Sequence, residues 1–455
     1  MKKLYFILVL WGVKFGNILC KLFHKAGTMI SGKVAVKFQK DFVKYFTNID
    51  YDKVIFVTGT NGKSTTTNLL YHTIKTSGKK VATNTEGANM MSGIATTLIK
   101  NSNIFGKFNK EFLILEVDER SLRNIFKVLP AKNLCISNLQ KDQVQRNGDP
   151  DFIYQMFKNA ISKDVTLFVN NEEPRSRSLE DYAGKSIYYS MEKNSKTFEK
   201  NGFYDVTMPC PKCNHKIEYE YYNIENIGKF KCTNCNYKSV KKANVTIKEI
   251  DYENHTFKCG KDTYKVNYIN PFYIYNYALV ISVCKKYNIE YNDIQKGFET
   301  FKNPADRREV YNYHGKIVHY LRIKQENPET MQNALDTIAR DKRKKAIYIG
   351  LYEVKDFPPA YANTFYFFDC DFKKCVSKQV EKYVCFSKTV AFDTANRMIY
   401  AGADEKKIKV YDVEDDFNKI FSDLDNLKTD NIYIITGMKP YKKIKAYLKK
   451  GDSNE

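Results

Sequence analysis

A short polar segment with two glycines and a lysine is the part of the sequence whose residue types point most directly to chemistry. It lies between the apolar run 54–57 and a helical pattern over 66–74, and it consists of Gly59, Thr60, Asn61, Gly62, Lys63, Ser64 and Thr65. A strand, a tight glycine loop and a helix in this order form a cradle whose backbone N–H groups face phosphate. Lys63 would then reach the β- and γ-phosphates of a nucleotide, and the Ser64 hydroxyl would bind Mg²⁺. The segment predicts ATP binding, although Val57 stands where the general motif has its first glycine.

Three carboxylates end a later apolar run. Glu116, Asp118 and Glu119 close the run that begins at Phe112. A hard cation that bridges nucleotide phosphates takes carboxylate oxygens as ligands. Glu116 and Asp118 lie two residues apart, so a strand would present both on one face. The cluster therefore predicts a magnesium site, and a solvated strand end is the alternative.

Four cysteines have the spacing of a zinc ribbon. Cys210 and Cys213 form one C-x2-C pair, Cys232 and Cys235 form another, and eighteen residues separate the pairs. Four thiolates around one ion make a closed tetrahedral shell, which predicts a structural zinc ion. Most of the other cysteines, among eleven in total, stand singly in apolar patterns, as expected of reduced thiols in a cytosolic protein.

The sequence predicts a parallel α/β scaffold for these residues. Strands are expected at 53–58, 80–83, 112–119, 133–137, 165–169 and 245–250, with helical patterns between them and a helix at 271–286. Strands that alternate with helices form a sheet covered on both faces, and ligands bind beyond the carboxyl ends of its strands. The glycine loop and the carboxylates fall at those ends.

A second α/β domain is expected after about residue 312. There the alternation resumes, with strands predicted at 317–323, 346–351, 364–368, 408–411 and 431–435. A length of 455 residues is too great for one core and agrees with two to three domains.

The composition is that of a folded, basic protein. Hydrophobic residues make up 43% of the chain and aromatic residues 14%, which excludes a disordered protein. Lysine and arginine number 74 against 52 acidic residues, a net charge of +22. These basic residues are spread along the chain without an arginine-rich arm. The charge therefore favours an anionic membrane surface or a phosphorylated substrate as much as nucleic acid.

The first 45 residues contain a helical pattern of apolar and basic residues. The apolar run 4–13 is about ten residues long, too short to span a bilayer, and no small-residue cleavage site follows it. Apolar positions continue at helical spacing as far as Phe23, with lysines between them. An amphipathic helix packed on the first domain and an interfacial membrane helix both fit this pattern. We expect a cytoplasmic protein, in contact with the inner face of the membrane in the second case.

Several of these motifs resemble the Mur ligase family of ATP-dependent amide-forming enzymes. G-T-N-G-K-S-T is that family's form of the phosphate loop, and E-V-D-E at 116–119 resembles the segment whose first glutamate helps to hold Mg²⁺. The resemblance thus selects Glu116 as the catalytic carboxylate that binds Mg²⁺ with Ser64.

The resemblance also marks two further nucleotide-site candidates. Tyr275-Asn276 is similar to a family pattern whose asparagine lies near the nucleotide, although an ordinary helix residue also fits Asn276. The turn at 303–309 resembles the family's G-R-x-E turn, so Arg308 is either a phosphate contact or part of a charged linker.

More segments resemble one branch of the family, the MurT ligase subunits of lipid II isoglutaminyl synthase. They are Thr85-Glu86-Gly87-Ala88-Asn89, Asn138 to Gln143 with Arg146 and Gly148, Phe168 to Pro174, Lys324 with Asn327-Pro328, Asp369 to Phe372, Asp393 with Arg397, and Tyr400-Ala401-Gly402. This branch carries a cysteine-rich insertion. The resemblance implies an N-terminal amphipathic helical segment at 1–45, a central ATPase domain at 46–305 with a zinc ribbon at about 203–243, and a Rossmann-like α/β domain at 306–455.

The same resemblance implies a partner. MurT subunits work with GatD, a glutamine amidotransferase, and a family aspartate in the last domain is thought to orient the partner's catalytic histidine. Counting back from Asp369 places Asn363 at that position, and Asp356 is the alternative after a shift in loop register. Asparagine accepts a hydrogen bond from imidazole but supplies no negative charge to stabilise imidazolium.

The expected function is that of a ligase subunit that uses ATP, Mg²⁺ and structural Zn²⁺. It would activate the α-carboxylate of D-glutamate in the lipid II stem peptide as an acyl phosphate. Ammonia from a GatD-like partner would then give D-isoglutamine. A stand-alone Mur-type ligase that adds an amino acid is one alternative. A zinc-ribbon ATPase that binds nucleic acid is another, but the chain has no clustered basic stripe.

Overall fold

The chain folds around two sheets that are mostly parallel, one in each of two units. A computed structural model describes residues 1–22, 30–84, 89–140, 150–199, 208–303, 308–324, 328–355, 362–363, 369–413, 415–438 and 440–451. The first unit comprises residues 1–140 and 150–305, and the second comprises residues 306–455 with 141–149.

The first unit contains a nine-stranded sheet and a separate hairpin. Its strands are β1 (Val54–Thr58), β2 (Val81–Thr83), β3 (Phe112–Glu116), β4 (Asn133–Ile136), β5 (Thr166–Asn170), β6 (Lys185–Met191), β7 (Ile217–Ile224), β8 (Ile227–Cys232), β9 (Val245–Asp251), β10 (Thr256–Cys259) and β11 (Asp262–Lys265). The sheet order is β11-β10-β9-β6-β5-β4-β1-β3-β2, and β7 pairs with β8 alone. Within this sheet, β9, β6, β5, β4, β1, β3 and β2 run parallel to one another, whereas β10 is antiparallel to both β9 and β11.

Helices cover both faces of this sheet. They are α1 (Lys2–Leu22), α2 (Ile30–Phe38), α3 (Lys63–Thr76), α4 (Met91–Lys100), α5 (Leu122–Val128), α6 (Pro150–Lys158), α7 (Pro174–Ser178), α8 (Pro271–Lys286) and α9 (Tyr291–Thr300). Strand β1 is buried throughout, with Val54 and Phe56 in one hydrophobic cluster and Ile55 and Val57 in another. Alternate side chains of a strand point to opposite faces, so each face has its own core.

Helix α1 is part of the first unit's core. Phe6 and Leu10 are fully buried and belong to the same cluster as Phe42 and Phe46. Gly106 has φ +75°, and a Cβ there would lie 2.6 Å from the ring of Phe6, so this close approach requires glycine. Within the described residues, no helix has the length and apolar character needed to cross a membrane.

The second unit has a six-stranded sheet of its own. Its strands are β12 (Arg308–Tyr313), β13 (Lys316–Arg322), β14 (Lys345–Gly350), β15 (Val354–Lys355), β16 (Ala362–Asn363), β17 (Val380–Phe386), β18 (Ile408–Tyr411) and β19 (Asn431–Thr436). The order is β12-β13-β19-β14-β17-β18, in which β12 alone is antiparallel to its neighbour, and β15 pairs with β16. Helices α10 (Pro328–Arg340), α11 (Ala391–Tyr400), α12 (Phe417–Ile420) and α13 (Tyr441–Gly451) complete the unit.

The predicted α/β fold class is confirmed, and most predicted strands match within one or two residues. The predicted helix 271–286 is α8 to the residue. The predicted strand 112–119 ends early, because β3 stops at Glu116. The strands predicted from the sequence do not include β6, β10, β11, β12, β15, β16 or β17. The predicted strand 364–368 lies outside the described residues.

Candidate active site and metal centre

The phosphate loop, residues 59–65, joins the end of β1 to the start of α3. Gly59 and Gly62 have φ values of +120° and +83°, in the region that favours glycine. A Cβ on Gly59 would lie 2.4 Å from Ser137 Oγ, and one on Gly62 would lie 2.8 Å from Asn276 Oδ1. The first intrahelical hydrogen bond runs from Thr66 N to Gly62 O. The backbone N–H groups before Thr66 therefore have no partner within the helix and can donate to a bound anion.

The segment that follows β4 holds the loop in shape. Thr60 N donates to Asn138 O at 2.8 Å, and Asn61 N donates to Asn138 Oδ1 at 3.0 Å. The Thr60 hydroxyl donates to Gln140 O and accepts from Gln140 N, both at 3.0 Å. The Asn61 side chain donates to Gln140 Oε1, also at 3.0 Å. Five hydrogen bonds to two residues therefore hold the loop in shape before any ligand binds.

Lys63 forms a buried ion pair with Glu119. Its Nζ lies 2.6 Å from Glu119 Oε1 and 3.2 Å from Thr60 O, and it also donates to Gly59 O. Both charged side chains are only 13% exposed. Burial raises the pKa of Glu119, and Lys63 opposes that rise. The ammonium group therefore lies directly against the phosphate loop, and an acidic partner neutralises it.

Of the three carboxylates, the family resemblance favours Glu116, whereas Glu119 is the one that contacts Lys63. Because β3 ends at Glu116, the expected sharing of one strand face by Glu116 and Asp118 is wrong. Glu116 pairs in register with Val57 of β1, and its carboxylate accepts from Asn89 Nδ2 at 3.2 Å. It thus lies on the strand next to the one that enters the phosphate loop. A shared ion between Glu116 and Ser64 stays a prediction.

Asn276 supports the phosphate loop from helix α8. It is buried, and its Oδ1 accepts from Thr66 Oγ1 at 3.0 Å besides facing Gly62. The sequence pattern predicts that Asn276 lies near the nucleotide. In the structure it contacts Thr66, in the first turn of α3 after the phosphate loop. Whether it touches the nucleotide stays a prediction.

A buried acid, Glu172, contacts Tyr275, the residue that precedes Asn276 in the sequence. The Glu172 carboxylate accepts from Met191 N at 2.9 Å and from the Tyr275 hydroxyl at 2.7 Å. Asn223 of β7 donates to the same hydroxyl at 3.1 Å. Burial raises the pKa of Glu172 to about 7, against the opposing effect of these hydrogen bonds. The neighbouring Glu173 instead caps helix α7.

The four predicted zinc ligands come together. The sulfur atoms of Cys210, Cys213, Cys232 and Cys235 lie within 4.8 Å of one another. The Cys210–Cys235 and Cys213–Cys232 pairs are 3.8 and 3.4 Å apart, close to the edge of about 3.8 Å expected for four sulfurs around zinc. Cys235 N donates to Cys232 Sγ at 3.5 Å. The donor set and its closed geometry fit a structural zinc ion.

The hairpin that carries the ribbon contacts the segment that holds the phosphate loop. Its turn contains Glu225, and Gln140 Nε2 donates to Glu225 Oε2 at 3.3 Å. On the strand that follows, Gly228 N donates to Glu172 O at 2.9 Å. The hairpin and the phosphate loop are therefore linked through Gln140, which is not among the site residues predicted from the sequence. The sequence has no signal for a contact across 85 positions.

The remaining candidates belong to the second unit. Arg308 begins strand β12 and is exposed. Asn363 lies in β16, opposite Val354 of β15. Asp356 lies outside the described residues, as do residues 85–88, 141–149 and 325–327, which include parts of the segments that resemble MurT. The roles predicted for these residues stay predictions.

Comparison with family models identifies two regions. Residues 57–237 match the Mur ligase middle domain, and residues 325–438 match the MurT ligase C-terminal domain. The chain is 26% identical over 362 residues to the lipid II isoglutaminyl synthase (glutamine-hydrolyzing) subunit MurT of Staphylococcus aureus strain COL, covering 79% of this chain and 80% of the relative. The subunit of the same name from Streptococcus pneumoniae is 27% identical over 316 residues, 69% of each chain.

Solved structures show the same fold. A pseudomurein peptide ligase type C from Methanothermus fervidus has a TM-score of 0.63 and 18% identity, covering 90% of this chain and 80% of the other. MurF from Acinetobacter baumannii has a TM-score of 0.60 and 10% identity, covering 93% and 81%.

Proposed function

The chain belongs to the MurT branch of the Mur ligases, and we propose that it is the ligase subunit of a lipid II isoglutaminyl synthase. In this reaction ATP activates the α-carboxylate of D-glutamate in the lipid-linked stem peptide, and ammonia converts it to the amide of D-isoglutamine. The observation that carries the proposal is the phosphate loop with Lys63 against it, in a chain that matches both the Mur ligase middle domain and the MurT C-terminal domain.

The first step is phosphoryl transfer. A carboxylate oxygen attacks the γ-phosphorus, the bond to the β-phosphate oxygen breaks, and an acyl phosphate and ADP form. Lys63, whose ammonium lies against the phosphate loop, would offset charge that develops on the transferred group, and the N–H groups of the loop would position the other phosphates. Ser64 and Glu116 would hold Mg²⁺, which neutralises phosphate charge when bound. Asn276 keeps the loop in place, and Arg308 is a further candidate for phosphate contact.

The second step is amide formation. Ammonia attacks the acyl carbon, phosphate leaves, and the new amide loses a proton. The sequence contains no cysteine in a G-x-C-x-G setting. All ten described cysteines are buried or belong to the four-cysteine cluster. Ammonia therefore comes from solution or from another protein, and a GatD-like glutamine amidotransferase that forms a heterodimer with this chain would supply it from glutamine.

The other assignments follow from the same reaction. A zinc ion in the cysteine cluster would be structural, because four thiolates leave no open position. A lipid-linked substrate places the protein at the cytoplasmic face of the membrane, as a peripheral protein. In the complex, Asn363 or Asp356 would orient the partner's catalytic histidine.

One experiment tests the function. The protein is incubated with lipid II and ATP, and either ammonium or glutamine is supplied, with and without the partner amidotransferase. Mass spectrometry should show a loss of about one mass unit, as –OH becomes –NH2, with ammonium alone, and with glutamine only when the partner is present. A gain equal to an amino-acid residue would identify a stand-alone amino-acid ligase instead. No change in lipid II under any condition would refute the proposal.

A further inference from the structure

Helix α1 has two apolar faces, and only one of them is used by the core. Phe6, Leu10 and Val13 are at most 7% exposed and pack into the first unit. On the opposite face, five large apolar side chains recur every three or four residues and remain exposed. This apolar stripe consists of Leu4, Leu8, Trp11, Phe15 and Ile18, with exposures of 68, 56, 46, 63 and 56%. Such spacing places the five residues along one side of a helix.

A neighbouring loop extends the apolar stripe. Ile104 and Phe105 are 55 and 63% exposed. The indole of Trp11 donates to Ile104 O at 2.8 Å, and this bond ties the loop to the helix. Single exposed apolar residues are normal on a protein surface, but a contiguous set of seven marks an interaction site.

The charge around the stripe indicates what covers it. The first forty residues contain eight lysines and no aspartate or glutamate. Lys2 and Lys3 are exposed at the start of the helix. A second copy of this chain would bring two such basic segments together, which is unfavourable. An anionic lipid surface offers both acyl chains for the apolar side chains and negative headgroups for the lysines.

We propose that the apolar stripe, with Ile104 and Phe105, is the surface by which this protein binds an anionic phospholipid membrane, with α1 lying in the plane of the interface. This rests on the proposed function for its purpose, since a lipid-linked substrate requires the enzyme to work at a membrane. The contact itself follows from exposure and charge alone.

The chain carries its own reporter for the test. Trp11 is the only tryptophan, and it lies in the stripe. The full-length protein is mixed with vesicles of phosphatidylglycerol and phosphatidylcholine, and its fluorescence is recorded. Emission should shift to the blue and should be quenched by lipids brominated on their acyl chains. Vesicles of phosphatidylcholine alone, or high salt, should weaken binding at least about threefold, because the lysines then lose their attraction.

Matched variants locate the surface. Leu8→Ser with Phe15→Ser should lower vesicle affinity at least about tenfold, while the thermal unfolding temperature stays unchanged because both side chains are exposed. The control is Phe392→Ser with Tyr400→Ser, two residues of the second unit that are 64 and 72% exposed. It should bind vesicles like the wild type.

Several results would overturn the proposal. One is wild-type emission that does not respond to vesicles, and another is unchanged binding by the Leu8 and Phe15 variant. A blue shift of the emission without lipid would also overturn the proposal. If the shift follows an increase in protein concentration, the stripe binds a second copy of the chain. If it follows addition of the partner subunit, the stripe binds that subunit. Amidation of lipid II in detergent separates this test from the proposed function. The variant should keep full activity in detergent, and a wild type inactive there but bound to vesicles would refute only the function.

Discussion

The ammonium nitrogen of Lys63 lies 2.6 Å from a carboxylate oxygen of Glu119, and the two residues come from different strand ends of one sheet. The pair holds the lysine against the phosphate loop, where its charge is neutralised until a nucleotide phosphate competes for it. A buried charge without its partner costs several kcal/mol. Each member of this pair therefore affects stability as well as chemistry, and the two effects can be separated by mutation.

Lys63→Ala should abolish ATP turnover, to below a few percent of the wild type, because no other described cation lies against the loop carbonyls. It should also lower stability, because Glu119 loses the charge that offsets its burial. Adding Glu119→Gln should restore the thermal unfolding temperature but not turnover. Turnover that survives in Lys63→Ala would contradict the phosphate-loop assignment.

Glu116 and Glu119 should differ in their dependence on Mg²⁺. We expect Glu116→Gln to raise the Mg²⁺ concentration for half-maximal ATP turnover at least about tenfold, as loss of one carboxylate ligand does. Glu119→Gln should leave that concentration unchanged, because its carboxylate serves Lys63. The opposite pattern would make Glu119 the magnesium ligand. Titration with MgCl2 at saturating ATP distinguishes the two.

The zinc ribbon should influence nucleotide affinity. Glu225→Ala removes the hydrogen bond to Gln140 and should weaken ADP binding about three- to tenfold by calorimetry. Cys210→Ser should lose the single zinc ion measured by elemental analysis and weaken ADP binding to a similar extent, and combining the two changes should add little. Glu220→Ala, on the same hairpin but exposed, is the control. Unchanged ADP affinity in zinc-free protein would rule out the link.

Glu172 should make stability depend on pH. Its folded-state pKa of about 7 exceeds the ordinary value of 4.5. The folded state therefore keeps a proton that the unfolded state loses, and the free energy of unfolding falls as pH rises from about 4.5 to about 7, by about 3 kcal/mol in all. Glu172→Gln should remove this fall and be the more stable protein near pH 8. Urea unfolding at about pH 5 and pH 8 measures it, with exposed Glu253→Gln as control.

Asn363 should limit the use of glutamine. With the partner subunit present, Asn363→Asp should raise glutamine-dependent amidation of lipid II and leave ammonium-dependent amidation unchanged, because a carboxylate stabilises imidazolium better than an amide does. If Asp356→Asn changes glutamine use instead, Asp356 occupies that position. If neither variant matters, the partner carries a complete triad.

The sequence predicts those elements whose structure depends mainly on residues close to one another in the chain. The glycine loop, helix α8 and the cysteine pairs are predictable because each has a short local signal: the glycines, the helical periodicity and the C-x2-C spacing, respectively. Strand β17 was missed because Glu381 and Lys382 interrupt its apolar run. Glu381 accepts from Thr429 N at 3.0 Å and Lys382 donates to Asp423 at 2.6 Å, so tertiary partners make these charges acceptable in a strand. The Lys63–Glu119 and Gln140–Glu225 contacts likewise join segments that are 56 and 85 positions apart, so no local pattern predicts them.

If the four-cysteine cluster binds zinc as proposed, the contact between Glu225 and Gln140 would make the ATP site depend on the supply of that metal. A hairpin held by four thiolates around an ion would lose its shape on removal of the ion, and its support of the phosphate loop through Gln140 would then weaken. A cell short of zinc would consequently slow amidation of its peptidoglycan precursor while its ATP and glutamine pools were still full. The activity of the enzyme would in that way depend on the zinc supply of the cell.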